Sequence, residues 1–261
     1  MTHQVLVPLV TPISAEGDVC RASVARLVRS LRHGVDGFIV CLTSGEGWLL
    51  NERQWRAMLE ATLEQAGSLP VVAGIERATT DAVLAYAQQA QQSGVAGIML
   101  TSPFGSLVDQ AAILTHYREV HDGIDLDIHI YNESSLSGNE TSVDTLLAIA
   151  ALPRVVGIKD SAEEPRSPQQ INALQAHGLK YYLGWERHLG AGLPADGCVV
   201  SLANLEPALC RIAMMSEGDA LRAEVARLTG IYSLLSEDWY AHIKQELFDR
   251  GVIASPHAVG H

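Results

Sequence analysis

Lys159 is one of only three lysines in a chain of 261 residues that carries 15 arginines; the other two are Lys180 and Lys244. It sits in the run Val155-Val156-Gly157-Ile158-Lys159-Asp160, where strand alternation puts it on the face of Val155 and Gly157. Gly157 leaves room beneath it on that side. If that face is the inside of a barrel, the amine is desolvated. Burial disfavours the charged form, so a neutral amine able to attack a carbonyl becomes available near neutral pH. The competing role is a structural lysine paired with Asp160 or another carboxylate. Lys180 precedes an apolar run and Lys244 falls in a helical pattern, so both are expected in solvent.

Other polar residues stand at the ends of similar runs: Thr43, Ser44 and Glu46, Glu76 and Arg77, Thr101 and Ser102, Tyr131 and Asn132, Glu186, Ser201 and Asn204. Tyr131 ends the run before that of Lys159, and a phenol there would relay protons to a carbinolamine or an aldol hydroxyl. A core tyrosine with its hydroxyl capped by backbone is the plainer alternative. Thr43-Ser44-Gly45-Glu46 offers hydroxyls and, through Gly45, backbone N–H groups for a carboxylate or keto oxygen. Thr-Ser-Gly is also ordinary turn composition. His129 shares the parity of Tyr131 one layer deeper and is expected as a core histidine.

Several chemistries lack their residues. His116 and His121 are five apart and no H-E-x-x-H occurs, so no metal site is expected. No G-x-S-x-G elbow is present. The first run leads into Thr11-Pro12-Ile13-Ser14 without a dinucleotide or phosphate loop, so no cofactor is expected. A net charge of −12 without a basic run speaks against nucleic acid and anionic membranes. Apolar stretches are far shorter than the ~20 residues a membrane helix needs. Met1–Pro12 lacks the pattern of a signal peptide, which points to a cytoplasmic protein. The four cysteines are widely spaced without C-x-x-C, as expected of reduced core thiols.

The elements that must position these residues alternate. Strand-length runs lie near 5–12, 37–43, 70–75, 97–102, 127–132, 155–160, 181–184 and 197–202, with helix-period segments between them. Only a short helix fits between the last two. Gly34 and Gly94 are expected to end helices in the left-handed conformation. The segments from His33 to Val40 and from Ser93 to Leu100 repeat one plan 60 residues apart, as βα modules would. Eight such units predict a closed (β/α)8 barrel over residues 1–205, with a C-terminal helical extension at 206–261 packed on it. In such a barrel the site lies at the C-terminal ends of the strands.

Five motifs in order look like the dihydrodipicolinate synthase/N-acetylneuraminate lyase family of class I aldolases: Pro8-Leu9-Val10-Thr11-Pro12, Thr43-Ser44-Gly45-Glu46, Tyr131-Asn132, Val155 to Asp160, and Asp196 to Asn204. The resemblance implies that Lys159 forms a Schiff base with pyruvate or another 2-oxo acid and that Tyr131 relays protons. It implies that Thr43 and Ser44 bind the acid's carboxylate or join the relay. Gly45 and Ser201, at the ends of their runs, are expected to bind substrate as well. The resemblance also implies a homodimer or homotetramer.

The departures are informative. Leu42 and Ser44 replace a glycine and a threonine of the family's loop. Leu136 stands where dihydrodipicolinate synthases place a carboxylate-binding arginine, and Phe104-Gly105 where they place a second relay tyrosine donated across a dimer interface. Arg77 is the expected substitute cation, and Glu133 the expected partner for an amine or hydroxyl of the substrate. The expected activity is therefore a carbon–carbon lyase or synthase on a 2-oxo acid, other than dihydrodipicolinate synthesis. A Schiff-base dehydratase or decarboxylase, and a decayed keto-acid-binding protein, are the alternatives.

Overall fold

Short aliphatic runs between helix-period segments give strands in a computed structural model that describes residues 3–259. In chain order the elements are β1 (Gln4–Pro8), α1 (Arg21–Leu31), β2 (Gly37–Val40), α2 (Glu52–Ala66), β3 (Val71–Ile75), α3 (Thr80–Ser93), β4 (Gly97–Thr101) and α4 (Gln110–Gly123). There follow β5 (Asp127–Asn132), α5 (Ser134–Ser137), α6 (Val143–Ala150), β6 (Val155–Asp160), α7 (Pro168–Ala176), β7 (Lys180–Leu183), β8 (Gly197–Cys198), α8 (Pro207–Met215), α9 (Asp219–Ile231) and α10 (Trp239–Asp249). The strands close in sequence order into a parallel (β/α)8 barrel, the predicted TIM fold. Leu6, Ile39, Val72, Met99, Tyr131 and Tyr182 fill its interior, while the larger apolar core lies between strands and helices.

Three strands are shorter than their apolar runs. β1 stops at Pro8, β2 at Val40 and β8 at Cys198, yet the residues beyond stay buried. Cys41 turns through a left-handed conformation (φ 60°), and Thr43–Gly45 and Ser201–Asn204 form 3₁₀ turns. Apolarity there reports burial of the loops, which periodicity cannot separate from strand. Asn204 bridges the barrel's closure: its Oδ1 accepts from the Val10 N–H (3.1 Å) and its Nδ2 donates to the Pro8 carbonyl (2.8 Å). Gly94 ends α3 in the left-handed region (φ 77°), but Gly34 does not; α1 closes at Arg32 in a right-handed turn.

The C-terminal helices divide by task. α8 packs on β1 and β8 in the place of a barrel's eighth helix. After β7 a 3₁₀ turn, Glu186–His188, stands where a helix would, and α9 packs against it. α10 packs against the Thr43–Gly45 turn, with Trp48 and Tyr240 edge to face at 5.6 Å. None of the helices among the described residues is long and apolar enough to cross a membrane, and all four cysteines are free.

Lys180 is exposed as expected, but Lys244 is not in solvent. Its side chain is completely buried and ion-paired with Glu46, and Nζ also donates to the His257 carbonyl (3.0 Å). The helical pattern of α10 carried no sign of this, because the partner comes from the loop after β2. Glu46 also accepts the Val259 N–H (2.5 Å), so one carboxylate ties that loop to α10 and the chain's end. Removing one member of a buried pair strands the other charge. Lys244→Met should therefore lower unfolding stability by about 3–5 kcal/mol in urea melts, and adding Glu46→Gln should recover most of the loss.

Candidate active site

Lys159 and Tyr131 face each other because β5 and β6 pair them directly in register. Both point into the barrel. Lys159 is 4% exposed and its Nζ lies over the Tyr131 ring, 4.1 Å from the centroid. Asp160, next along the strand, points the other way. Its carboxylate accepts from Asn132 Nδ2 (2.8 Å), Arg166 Nε (2.8 Å) and the Tyr181 hydroxyl (3.0 Å). The Lys159–Asp160 pairing is thereby excluded. Burial pulls the Lys159 amine down to about 8, against the opposing attraction of Glu133, Glu76 and Glu186.

The Tyr131 hydroxyl lies 2.9 Å from Thr43 Oγ1, and Thr43 Oγ1 donates to Glu76 Oε1 at 2.5 Å. Threonine has one hydroxyl proton, so with that proton on the carboxylate, Tyr131 is the donor to Thr43. Burial raises the Tyr131 phenol well above its ordinary value, helped by the charges of Glu133 and Glu76. Ser44 Oγ lies 2.8 Å from Ser201 Oγ, joining the turn after β2 to the turn after β8. Glu133 is held by the N–H (3.2 Å) and hydroxyl (2.6 Å) of Ser135. Glu186 accepts the Leu202 N–H (3.0 Å), and burial raises its carboxyl.

Of the expected site residues, Lys159, Tyr131, Thr43, Ser44, Glu133 and Ser201 line one cavity of about 300 Å³ at the C-terminal ends of the strands. Leu234, Leu235, Ser236 and Trp239 roof it from the C-terminal segment. A larger hollow of about 500 Å³ lies around Gln4 and Lys180, at the opposite end of the barrel, and contains none of these groups.

Two expected residues have other roles. Gly45 offers no N–H to the cavity, since that N–H is bonded to the Leu42 carbonyl (2.7 Å). It is glycine because a Cβ there would stand 2.7 Å from the Leu9 carbonyl oxygen. Arg77 is turned away: its guanidinium donates to the carbonyls of Gly47, Glu76 and Leu50 and stacks on Tyr86. Strand parity explains this, for Glu76 continues the inward row of Val72 and Gly74, and Arg77 the outward one. The same signal identifies Glu76, a strand-end residue to which the sequence motifs assign no role. Nor is the space beneath Lys159 open. A Cβ on Gly157 would meet the His129 ring at 2.6 Å, and that half-buried imidazole is pulled down to about 4 by burial.

The profile of the Dihydrodipicolinate synthetase family matches residues 1–259. The chain belongs to that family. An uncharacterised DapA-like lyase of Halobacterium salinarum is 31% identical, over 97% of this chain and 88% of that protein. A 4-hydroxy-tetrahydrodipicolinate synthase of Streptomyces coelicolor is 30% identical, over 84% of this chain and 73% of its own length. The dihydrodipicolinate synthase of Acinetobacter baumannii, solved with pyruvate, shares the fold with a TM-score of 0.90 at 24% identity, over 100% of this chain and 93% of that one.

Within the family's fold, two local features of this chain stand out. Leu136 packs against the interior apolar cluster, so no cation stands there. The cavity's guanidinium is instead that of Arg187, which stacks on Trp185 and which the sequence patterns did not single out. Glu76 is 1% exposed, and burial raises its carboxyl from 4.5 to about 7. A raised carboxyl favours the fold while protonated. That contribution is complete below about 4.5 and is lost as pH climbs through about 7. In urea melts the stability gain of Glu76→Gln over the parent should therefore grow from about pH 5 to about pH 8, to about 3 kcal/mol.

Proposed function

We propose that this family member is a class I lyase or synthase in which Lys159 forms a Schiff base with pyruvate or another 2-oxo acid. The observation that carries the reading is the buried Lys159 amine over Tyr131, at the strand ends and open to a cavity. The neutral amine adds to the keto carbon, water leaves, and the resulting iminium draws electrons from the neighbouring carbon as an electron sink. A carbon–carbon bond is then made or broken through the enamine. Tyr131 and Thr43 carry protons to and from the reacting oxygens. Ser44 and Ser201, with the amides that open the Thr43–Gly45 turn, receive the acid's carboxylate.

The acceptor end of the cavity supports a substrate other than the dihydrodipicolinate precursor. Leu136 offers no charge, and Glu133 and Glu186 present carboxylates suited to hydroxyl or amine groups. A dicarboxylate acceptor would meet both carboxylates, with Arg187, the guanidinium that lines the cavity among the described residues, as counterweight. Assembly as a homodimer or homotetramer belongs to the same proposal and rests on the family resemblance.

Borohydride with pyruvate should leave a reduced adduct on the peptide holding Lys159, and Lys159→Ala should leave none. Because only the neutral amine attacks, the trapping rate should rise about tenfold per pH unit and level off above about pH 8. Absence of an adduct across a panel of 2-oxo acids would refute the reading. Tyr131→Phe should retain trapping while turnover falls about 10²–10⁴-fold.

A further inference from the structure

Glu76 is a buried carboxylate to which neither the expected chemistry nor the family resemblance gives a role. One oxygen takes the Thr43 proton at 2.5 Å, and Thr43 in turn receives Tyr131 at 2.9 Å. The other oxygen, Oε2, is fully buried without a hydrogen-bond partner among the described residues. Gly47 borders it, and a Cβ there would stand 3.1 Å away. A carboxylate kept this dry is costly as a purely structural group, since a glutamine would satisfy Thr43 equally well.

We propose that Glu76 is the inner terminus of a proton relay, Glu76–Thr43–Tyr131, that stores the proton exchanged at the substrate. The inference rests on the Schiff-base reading above. It makes Glu76 a positioning residue that acts through two hydroxyls and touches no substrate atom. Protons balance at each step. When the enamine forms, the C–H bond at C3 of the bound 2-oxo acid breaks, its electron pair becomes the C2–C3 π bond, and the iminium C2=N π pair settles on the Lys159 nitrogen, leaving it neutral. The proton passes to the Tyr131 oxygen, that of Tyr131 to Thr43, and that of Thr43 to Glu76 Oε1. When an aldehyde acceptor is attacked, the same shifts reverse and the new alkoxide receives the proton.

The groups facing Glu76 fit the task. Lys159 on β6 and the neighbouring Arg77 favour its charged form, while Glu133 after β5 favours the neutral one. Tyr131 on β5 and Cys41 after β2 complete its titratable surroundings, and both remain protonated, raised mainly by burial. All members of the relay come from one chain, so it needs no side chain from a second copy.

Methyl-proton exchange of pyruvate in D₂O, followed by NMR, reads enamine formation without any knowledge of the acceptor. In the parent the exchange rate should rise with pH through about 7, as Glu76 becomes able to accept a proton. Glu76→Gln should slow exchange about 100-fold and leave only the rise through about 8 that Lys159 sets, while borohydride trapping at about pH 9 stays within about threefold. Thr43→Val, which cuts the relay before Glu76, should slow exchange at least as much, and the double variant should lose no more than Thr43→Val alone. Exchange within about threefold of the parent with an unchanged pH profile in either variant overturns the relay. So does a parent that traps pyruvate but does not exchange its methyl protons. A parent that traps no 2-oxo acid removes the Schiff-base reading itself, and the relay with it.

Discussion

The structure turns on a desolvated amine. Lys159 stands inside the barrel with its ammonium form penalised by burial, and the surroundings neither neutralise that penalty nor leave it whole. Asp160, the nearest acid in sequence, is committed to Asn132, Arg166 and Tyr181 on the outer side of β6. Among the described residues no carboxylate comes within ion-pairing distance of Nζ; Glu133, Glu76 and Glu186 act from farther away. A direct pair would have locked the lysine as a cation. Full isolation would have made the site too costly to fold around. Charge at intermediate range leaves the amine near 8, where both protonation states are populated.

That balance requires an enclosed site, and enclosure comes from the C-terminal segment. Residues 234–239 roof the cavity, and the buried Lys244–Glu46 pair fixes α10 to the loop that carries Thr43 and Ser44. Water exclusion and loop geometry are thus set by the same contact. Displacing either partner would strand a buried charge, so the segment is held where the two side chains meet.

Much of the fold was legible in the sequence because a barrel is written in repeated short-range pattern. Eight aliphatic runs alternating with amphipathic segments predict the observed closed order, and alternation within Val155–Asp160 predicts the inward lysine. Strand ends were less legible, since Leu9, Val10, Cys41, Leu42, Val199, Val200 and Leu202 are buried apolar residues that lie beyond the strands, under loops. Arg77 shows a different failure. It was favoured for its charge, whereas the parity of Val72, Gly74 and Glu76 assigns the inward place to its neighbour.

By itself the sequence determined the (β/α)8 plan and the pairing of Lys159 with Tyr131 at adjacent strand ends. Both follow from periodicity and residue type, which are local properties of the chain. That Leu136 and Phe104-Gly105 stand where an arginine and a tyrosine are expected comes from the resemblance to the family. Tertiary structure alone decided that Lys244 is buried, that Glu76 meets Thr43, that Arg77 faces away, and that the last helices close the cavity. Each depends on the direction and depth of a side chain relative to segments far away in sequence. Nothing in a lysine on a helix or a glutamate after a strand distinguishes a solvated charge from a desolvated one until the fold brings its partner, or withholds it.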